Sequence, residues 1–112
     1  MVQRLSQLAP ADCAVSMITV YELFCGVEKA QHAANERQKV ERFVSTIIEL
    51  PLDRAAAETA ARIRADLERQ GQPIGPYDLL IAGQALAGGL TLVTNNRQEF
   101  QRVAGLKLES WP

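Results

Sequence analysis

A chain of 112 residues with a formal net charge of -1 is enough sequence for one core, so residues 1–112 are read as a single domain. Its 47% hydrophobic and 22% charged residues are those of an ordinary globular protein; no apolar run reaches the roughly 18 residues of a membrane span, and Met1–Leu8 lacks the apolar stretch of a signal peptide. No membrane partner and a cytoplasmic location are therefore expected, and the charge balance excludes a broad electrostatic grip on nucleic acid, though not a nuclease centre built from carboxylates.

In chain order, Val2, Leu5, Leu8 and Ala9 recur at helical spacing, which predicts a helix over 2–9, broken at Pro10. Cys13-Ala14-Val15-Ser16 reads as a short buried strand. A helix from Ile18 or Thr19 to Ala30 carries Val20, Leu23, Phe24 and Val27 on one face, and a second runs from Gln31 to Thr46. Ile47–Leu52 is a strand whose Pro51 calls for an edge or strand-end position. Asp53 caps the helix that runs to Gln70, with Ala56, Ala60, Ile63 and Leu67 on one face. After a turn at Gly71–Gly75, Pro76 opens a helix that stops at Gly88-Gly89. Leu90–Thr94 is a strand, Asn96–Val103 a short helix, and Leu106–Leu108 a last strand. Strands alternating with helices predict a parallel sheet in a layered α/β domain.

Cys13 and Cys25 form no C-x-x-C pair and are read as reduced apolar fillers. His32, the single histidine, falls in a polar stretch and supports no histidine catalysis. Gly88-Gly89 lacks the flanking residues of a phosphate loop. Arg62, Arg64 and Arg69 read as a solvated helix face. Lys29, Arg37, Lys39 and Arg42 fit a solvated helix or contacts to RNA phosphates or a partner.

The chemistry concentrates at one rim. The carboxyl ends of strands are where an open α/β sheet binds ligands. Glu22 lies early in the helix after the Cys13–Ser16 strand, Asp78 in the first turn of its helix, and Asn96, with Glu99 three residues on, after the strand ending at Thr94. Each also fits a bland role. Thr19-x-x-Glu22 is a capping box, Asp78 suits a helix N-terminus, and Asn96-x-x-Glu99 is again a cap followed by an acid. Together, carboxylate and amide oxygens without His or Cys suit Mg²⁺ or Mn²⁺, which would serve phosphodiester hydrolysis.

These segments resemble the PIN-domain ribonucleases of the VapC toxin type. The matching pieces are Val15-Ser16-Met17-Ile18-Thr19-Val20-Tyr21-Glu22-Leu23, Gly71–Ala82 with its Pro76-Tyr77-Asp78 core, Leu92-Val93-Thr94-Asn95-Asn96-Arg97-Gln98-Glu99-Phe100, and the ending Val103–Trp111. The resemblance implies a three-layer PIN-like domain with a short, mostly parallel central sheet flanked by helices. It implies a toxin of a type II toxin–antitoxin pair that cleaves RNA with Mg²⁺ or Mn²⁺, dimerises, and is silenced by a cognate antitoxin. By motif, Glu22 and Asp78 take acidic, catalytic and metal-holding positions, and Asn96 takes a position that is Asp or Asn in the family. Thr94 would orient Asn96, and Glu99 would add supporting charge.

One departure stands out. The family opens with a strand ending in Asp-Thr-Asn, and this sequence has no such tripeptide. Asp12 is the only acid before Glu22 and precedes a strand instead of ending one. The first, central strand is therefore expected to be missing, since 2–9 has helical spacing, and a monomer without it should be marginally stable. A start site placed too late is the favoured explanation, beside a decayed gene or a strand donated by a partner. The 112-residue chain is expected to be a weak or inactive nuclease. The alternative function is an inactive homologue that dimerises and binds the antitoxin. A phospho-receiver domain is disfavoured, because no paired acids end the first strand and no Lys follows Leu90–Thr94.

Overall fold

The computed structural model describes residues 4–6, as backbone, and 13–110. The chain runs β1 Arg4–Ser6, β2 Cys13–Ser16, α1 Met17–Lys29, α2 Ala33–Ser45, β3 Ile48–Leu50, α3 Arg54–Arg69, α4 Pro76–Gly88, β4 Thr91–Val93, α5 Arg97–Phe100 and β5 Lys107–Glu109. One five-stranded sheet has the order β3-β2-β1-β4-β5, and every neighbouring pair is parallel. The elements expected from 13 onward are present, with ends displaced by a few residues.

The opening segment is the principal correction. Residues 4–6 are a strand at the centre of the sheet, not part of a helix, with Leu5 opposite Ala14 on one side and Leu92 on the other. The place expected to be empty is filled. The physical reason is the vacancy itself: with β2 and β4 each presenting an unpaired backbone edge, a segment between them satisfies hydrogen bonds on both sides. Two ladders outweigh a helical spacing of side chains over a few residues. The rest of the predicted 2–9 helix, Asp12 and Trp111 lie outside the described residues.

Why the other elements form is local. Ser16 ends β2 in extended conformation and caps α1 by accepting the Ile18 N–H at 3.0 Å. The helix therefore starts one turn before the expected Thr19–Glu22 capping box, which does not cap it. Asp53 caps α3 as expected, accepting the Ala56 N–H at 2.9 Å. Pro76 opens α4. Gly89 closes it at φ 65, a left-handed conformation that favours glycine.

The core lies between the sheet and the α3–α4 pair, with Ile63, Leu67, Leu79, Ile81, Ala82, Leu92 and Phe100 in one buried cluster. The two helices approach closely at Gly83, where a Cβ would stand 2.7 Å from the Ala56 carbonyl oxygen. Within the same layer Gln84 is 5% exposed. Its amide donates to the Leu50 and Pro51 carbonyls at 3.0 and 3.1 Å, while its oxygen accepts from Ser16 Oγ. One α4 side chain thus ties the ends of β2 and β3 together. Cys13 is buried, Cys25 half-buried, and both are free thiols. Pro51 directly follows the edge strand β3, as its missing N–H requires.

Candidate active site

The topology decides which residues can meet. From β1 the chain builds outward to β2 and β3, then returns to the other side of β1 for β4 and β5. The reversal between β1 and β4 opens a crevice at the carboxyl ends of the strands, the usual ligand position in an open α/β sheet. Helix α1 follows β2 and so starts at this rim; α4 runs into the start of β4, so its first turn lies there too.

Asp78 occupies the third position of α4 and is half-buried. Asn96, in the cap position of α5, makes no capping bond with its side chain. Its amide donates instead to Asp78 Oδ2 at 3.3 Å. The buried Thr94 accepts the Asn96 backbone N–H through Oγ1 at 3.0 Å, and its own N–H is held by the Glu109 carbonyl at 2.9 Å. Both ends of the Thr94–Asn96 turn are therefore fixed, which brings Asn96 to Asp78.

Glu99 stands closer to the centre than its spacing from Asn96 suggested. A Cβ built on Gly75 would lie 4.0 Å from both Asp78 Oδ2 and Glu99 Oε2, so the two carboxylates converge above that glycine. Burial first, then the hydrogen bond to Glu99 and the negative charges of Glu99 and Glu22, push the Asp78 carboxyl up to about 7. The same bond holds Glu99 below the usual carboxylate range, helped by the Gly75 N–H and the Arg102 guanidinium. Asp78 and Glu99 thus share a proton near neutral pH. Arg102 donates to the Pro73 carbonyl at 2.9 Å and pins the loop ahead of α4. Glu22 is exposed on α1 and reaches this pair through its charge.

All the residues singled out at the rim come together: Asp78, Asn96, Thr94 and Glu99 by contact, Glu22 by charge. Among the described residues, no three His, Cys, Asp or Glu side chains are grouped tightly enough to hold a metal ion. The donor chemistry nevertheless fits a hard divalent cation, since the rim offers carboxylate and amide oxygens and crowds its acids until one keeps a proton. Sequence reasoning missed the Gly75 cradle, Arg102 and the Gln84 tie. Only the Asn96-x-x-Glu99 spacing signalled that a further acid would join Asp78.

A scan against family models matches the PIN domain over residues 2–106. The tRNA(fMet)-specific endonuclease VapC of Shigella flexneri is 48% identical over 97 residues, covering 87% of this chain and 74% of that protein. The chain belongs to the PIN-domain family, among the VapC ribonucleases. A second VapC relative, the ribonuclease VapC2 of Haemophilus influenzae strain ATCC 51907 / DSM 11121 / KW20 / Rd, is 40% identical over 108 residues, 96% of this chain and 81% of that protein. The VapC fold matches in space as well. The crystal structure of DNA-bound VapBC from Salmonella typhimurium superposes with a TM-score of 0.93 at 34% identity, covering all of both chains.

Proposed function

We propose that this VapC-family chain is the endoribonuclease toxin of a type II toxin–antitoxin pair and cuts RNA phosphodiester bonds with Mg²⁺ or Mn²⁺ held by Glu22, Asp78 and Asn96. The observation that carries the reading is the convergence of Asp78, Asn96 and Glu99 at the β1–β4 crevice, under the charge of Glu22. When bound there, a divalent cation neutralises phosphate charge, polarises the P–O bond and makes water more acidic. The protein's own part is to present oxygens. Asp78 would hold the cation once it has given up the proton it shares with Glu99, Asn96 would do so through its amide oxygen after a half-turn of the amide, and Glu22 would add the negative charge it already brings to Asp78. Thr94 keeps the Asn96 backbone in place, and Glu99 supports Asp78 through the shared proton.

The partner reading is a cognate antitoxin, supported by the VapBC complex whose toxin-like fold this chain matches, together with a homodimer and a cytoplasmic place of work. No described helix is long and apolar enough to cross a membrane. Among the described residues the charge at the rim comes from Glu22, Asp78 and Glu99, without the family's Asp at the end of the first strand, so weak cleavage is expected. Mn²⁺-dependent cleavage of a structured RNA, with an Asp78→Ala control and circular dichroism of both proteins, tests the assignment. Cutting by the folded chain that Asp78→Ala abolishes supports the enzyme. A folded chain that leaves RNA intact at every Mn²⁺ concentration supports the inactive, antitoxin-binding homologue in its place.

A further inference from the structure

Both tyrosines of the chain stand at this rim, each immediately before one of its acids: Tyr21 before Glu22 and Tyr77 before Asp78. Their rings meet edge to face, with centroids 5.6 Å apart and planes at 63°, and their hydroxyls lie 3.3 Å from one another. Tyr21 is 51% and Tyr77 44% exposed. An aromatic pair serving only as a strut between α1 and α4 would gain most from burying its rings, as Phe100 is buried in the core. An edge-to-face contact covers one face of one ring and leaves aromatic surface open to solvent beside the carboxylates.

The charge around the crevice supplies the second argument. Arg37 pairs with Glu28 of α1 and Glu41 of its own helix, Lys39, Arg54 and Arg64 pair with acids of their own helices, Arg97 donates to Ser110 Oγ, and Arg102 is engaged with the Pro73 carbonyl. A cation held at the rim would neutralise the phosphate at the cut, but a chain of net charge -1 offers little attraction to the phosphates on either side, so affinity for the flanking RNA gains from an uncharged source. Stacking on an aromatic ring is such a source, and it accepts any base because every base has a π-face. The tyrosine hydroxyls face one another, and stacking on the rings needs neither of them.

We propose that Tyr21 and Tyr77 form a stacking platform that holds one unpaired base of the RNA beside the phosphodiester bond cut at the Glu22–Asp78–Asn96 rim. The platform rests on the ribonuclease reading. It binds single-stranded or looped RNA in preference to a continuous duplex, whose bases cannot splay onto a ring, and it favours purines over pyrimidines by the larger overlap of their rings.

The test uses the full chain carrying Asp78→Asn, which prevents cutting, and a short single-stranded RNA with 2-aminopurine placed at each position in turn. Stacking quenches the fluorescence at one position. Tyr21→Ala and Tyr77→Ala remove that quenching and weaken binding about tenfold, while Tyr21→Phe and Tyr77→Phe retain both. Because stacking releases no counterions, the slope of log Kd against log salt is the same in the Ala variants. Circular dichroism of each variant reads folding separately. Binding and quenching that survive both Ala substitutions overturn the platform, as does loss of quenching in the Phe variants, which would assign the role to the hydroxyls. Unchanged RNA affinity with altered self-association on size exclusion overturns it in favour of a protein contact. Mn²⁺-dependent cleavage by the chain with Asp78 intact separates the two readings: cutting that the Ala variants do not slow leaves the ribonuclease standing without its platform, whereas neither binding nor cutting defeats both.

Discussion

A carboxyl group pushed up to about 7 is half-protonated near neutral pH, and the consequences differ with and without a cation. The folded-state value lies above the ordinary carboxylate value of 3.8. In the cation-free protein, Asp78 therefore contributes stability that is fully present below about pH 4 and lost as the pH rises through about 7. Thermal melts across that window should fall with pH for the cation-free chain and be flatter for Asp78→Asn. Mn²⁺ competes with the proton, so its stabilising effect should grow as the pH rises through about 7 and then level off. Glu99→Gln removes the strongest partner of the shared proton and one negative charge. Its expected outcome is an Asp78 titration displaced toward lower pH, read by NMR of the side-chain carboxyl. An unmoved titration would mean that burial alone raises Asp78.

Helix α4 carries the first turn of the site at one end and the tightest packing of the fold along its length. Gly83→Ala should force α3 away from α4, costing about 1–3 kcal/mol by overpacking, measured by urea unfolding. Gln84→Leu should cost about 2–3 kcal/mol, because the Leu50 and Pro51 carbonyls and the Ser16 hydroxyl lose their partner. Gly83 lies in the α3–α4 contact apart from the acids, so the folded fraction of Gly83→Ala should keep its Mn²⁺ affinity. How far such features are legible beforehand depends on their range. Asp53, Pro76 and Gly89 act within a turn of their own position, and their roles are plain from the sequence. Asp78, Asn96 and Glu99 could be assigned to one rim because alternation of strands and helices fixes which ends coincide. The Ser16–Gln84 tie spans 68 residues and has no local mark. Glu22 resembled a cap because Thr19 stood three residues before it, while Ser16, at the end of the buried strand, caps α1.

At the scale of the whole molecule, the sheet hangs on a three-residue strand at its centre. Its spacing reads as helix, and only the two flanking ladders make it a strand, so no window of sequence could have revealed it. Leu5→Pro removes a backbone donor there and leaves its carbonyl partner unpaired, which should cost about 1–3 kcal/mol out of a typical stability of about 5–15 kcal/mol. The loss should appear as a lower urea midpoint and faster amide exchange in β2 and β4 alike. The same connectivity sets an order in time during synthesis. Arg4 pairs with Cys13 on one side and with Thr91 on the other, so a nascent chain on the ribosome can form the β1–β2 ladder early and must wait for β4. Asp78, Asn96 and Glu99 also leave the exit tunnel late. A growing polypeptide of this kind cannot bring Asp78, Asn96 and Glu99 together at the β1–β4 crevice until β4 and α5 have been made, so the site proposed there stays unassembled on the ribosome until that point.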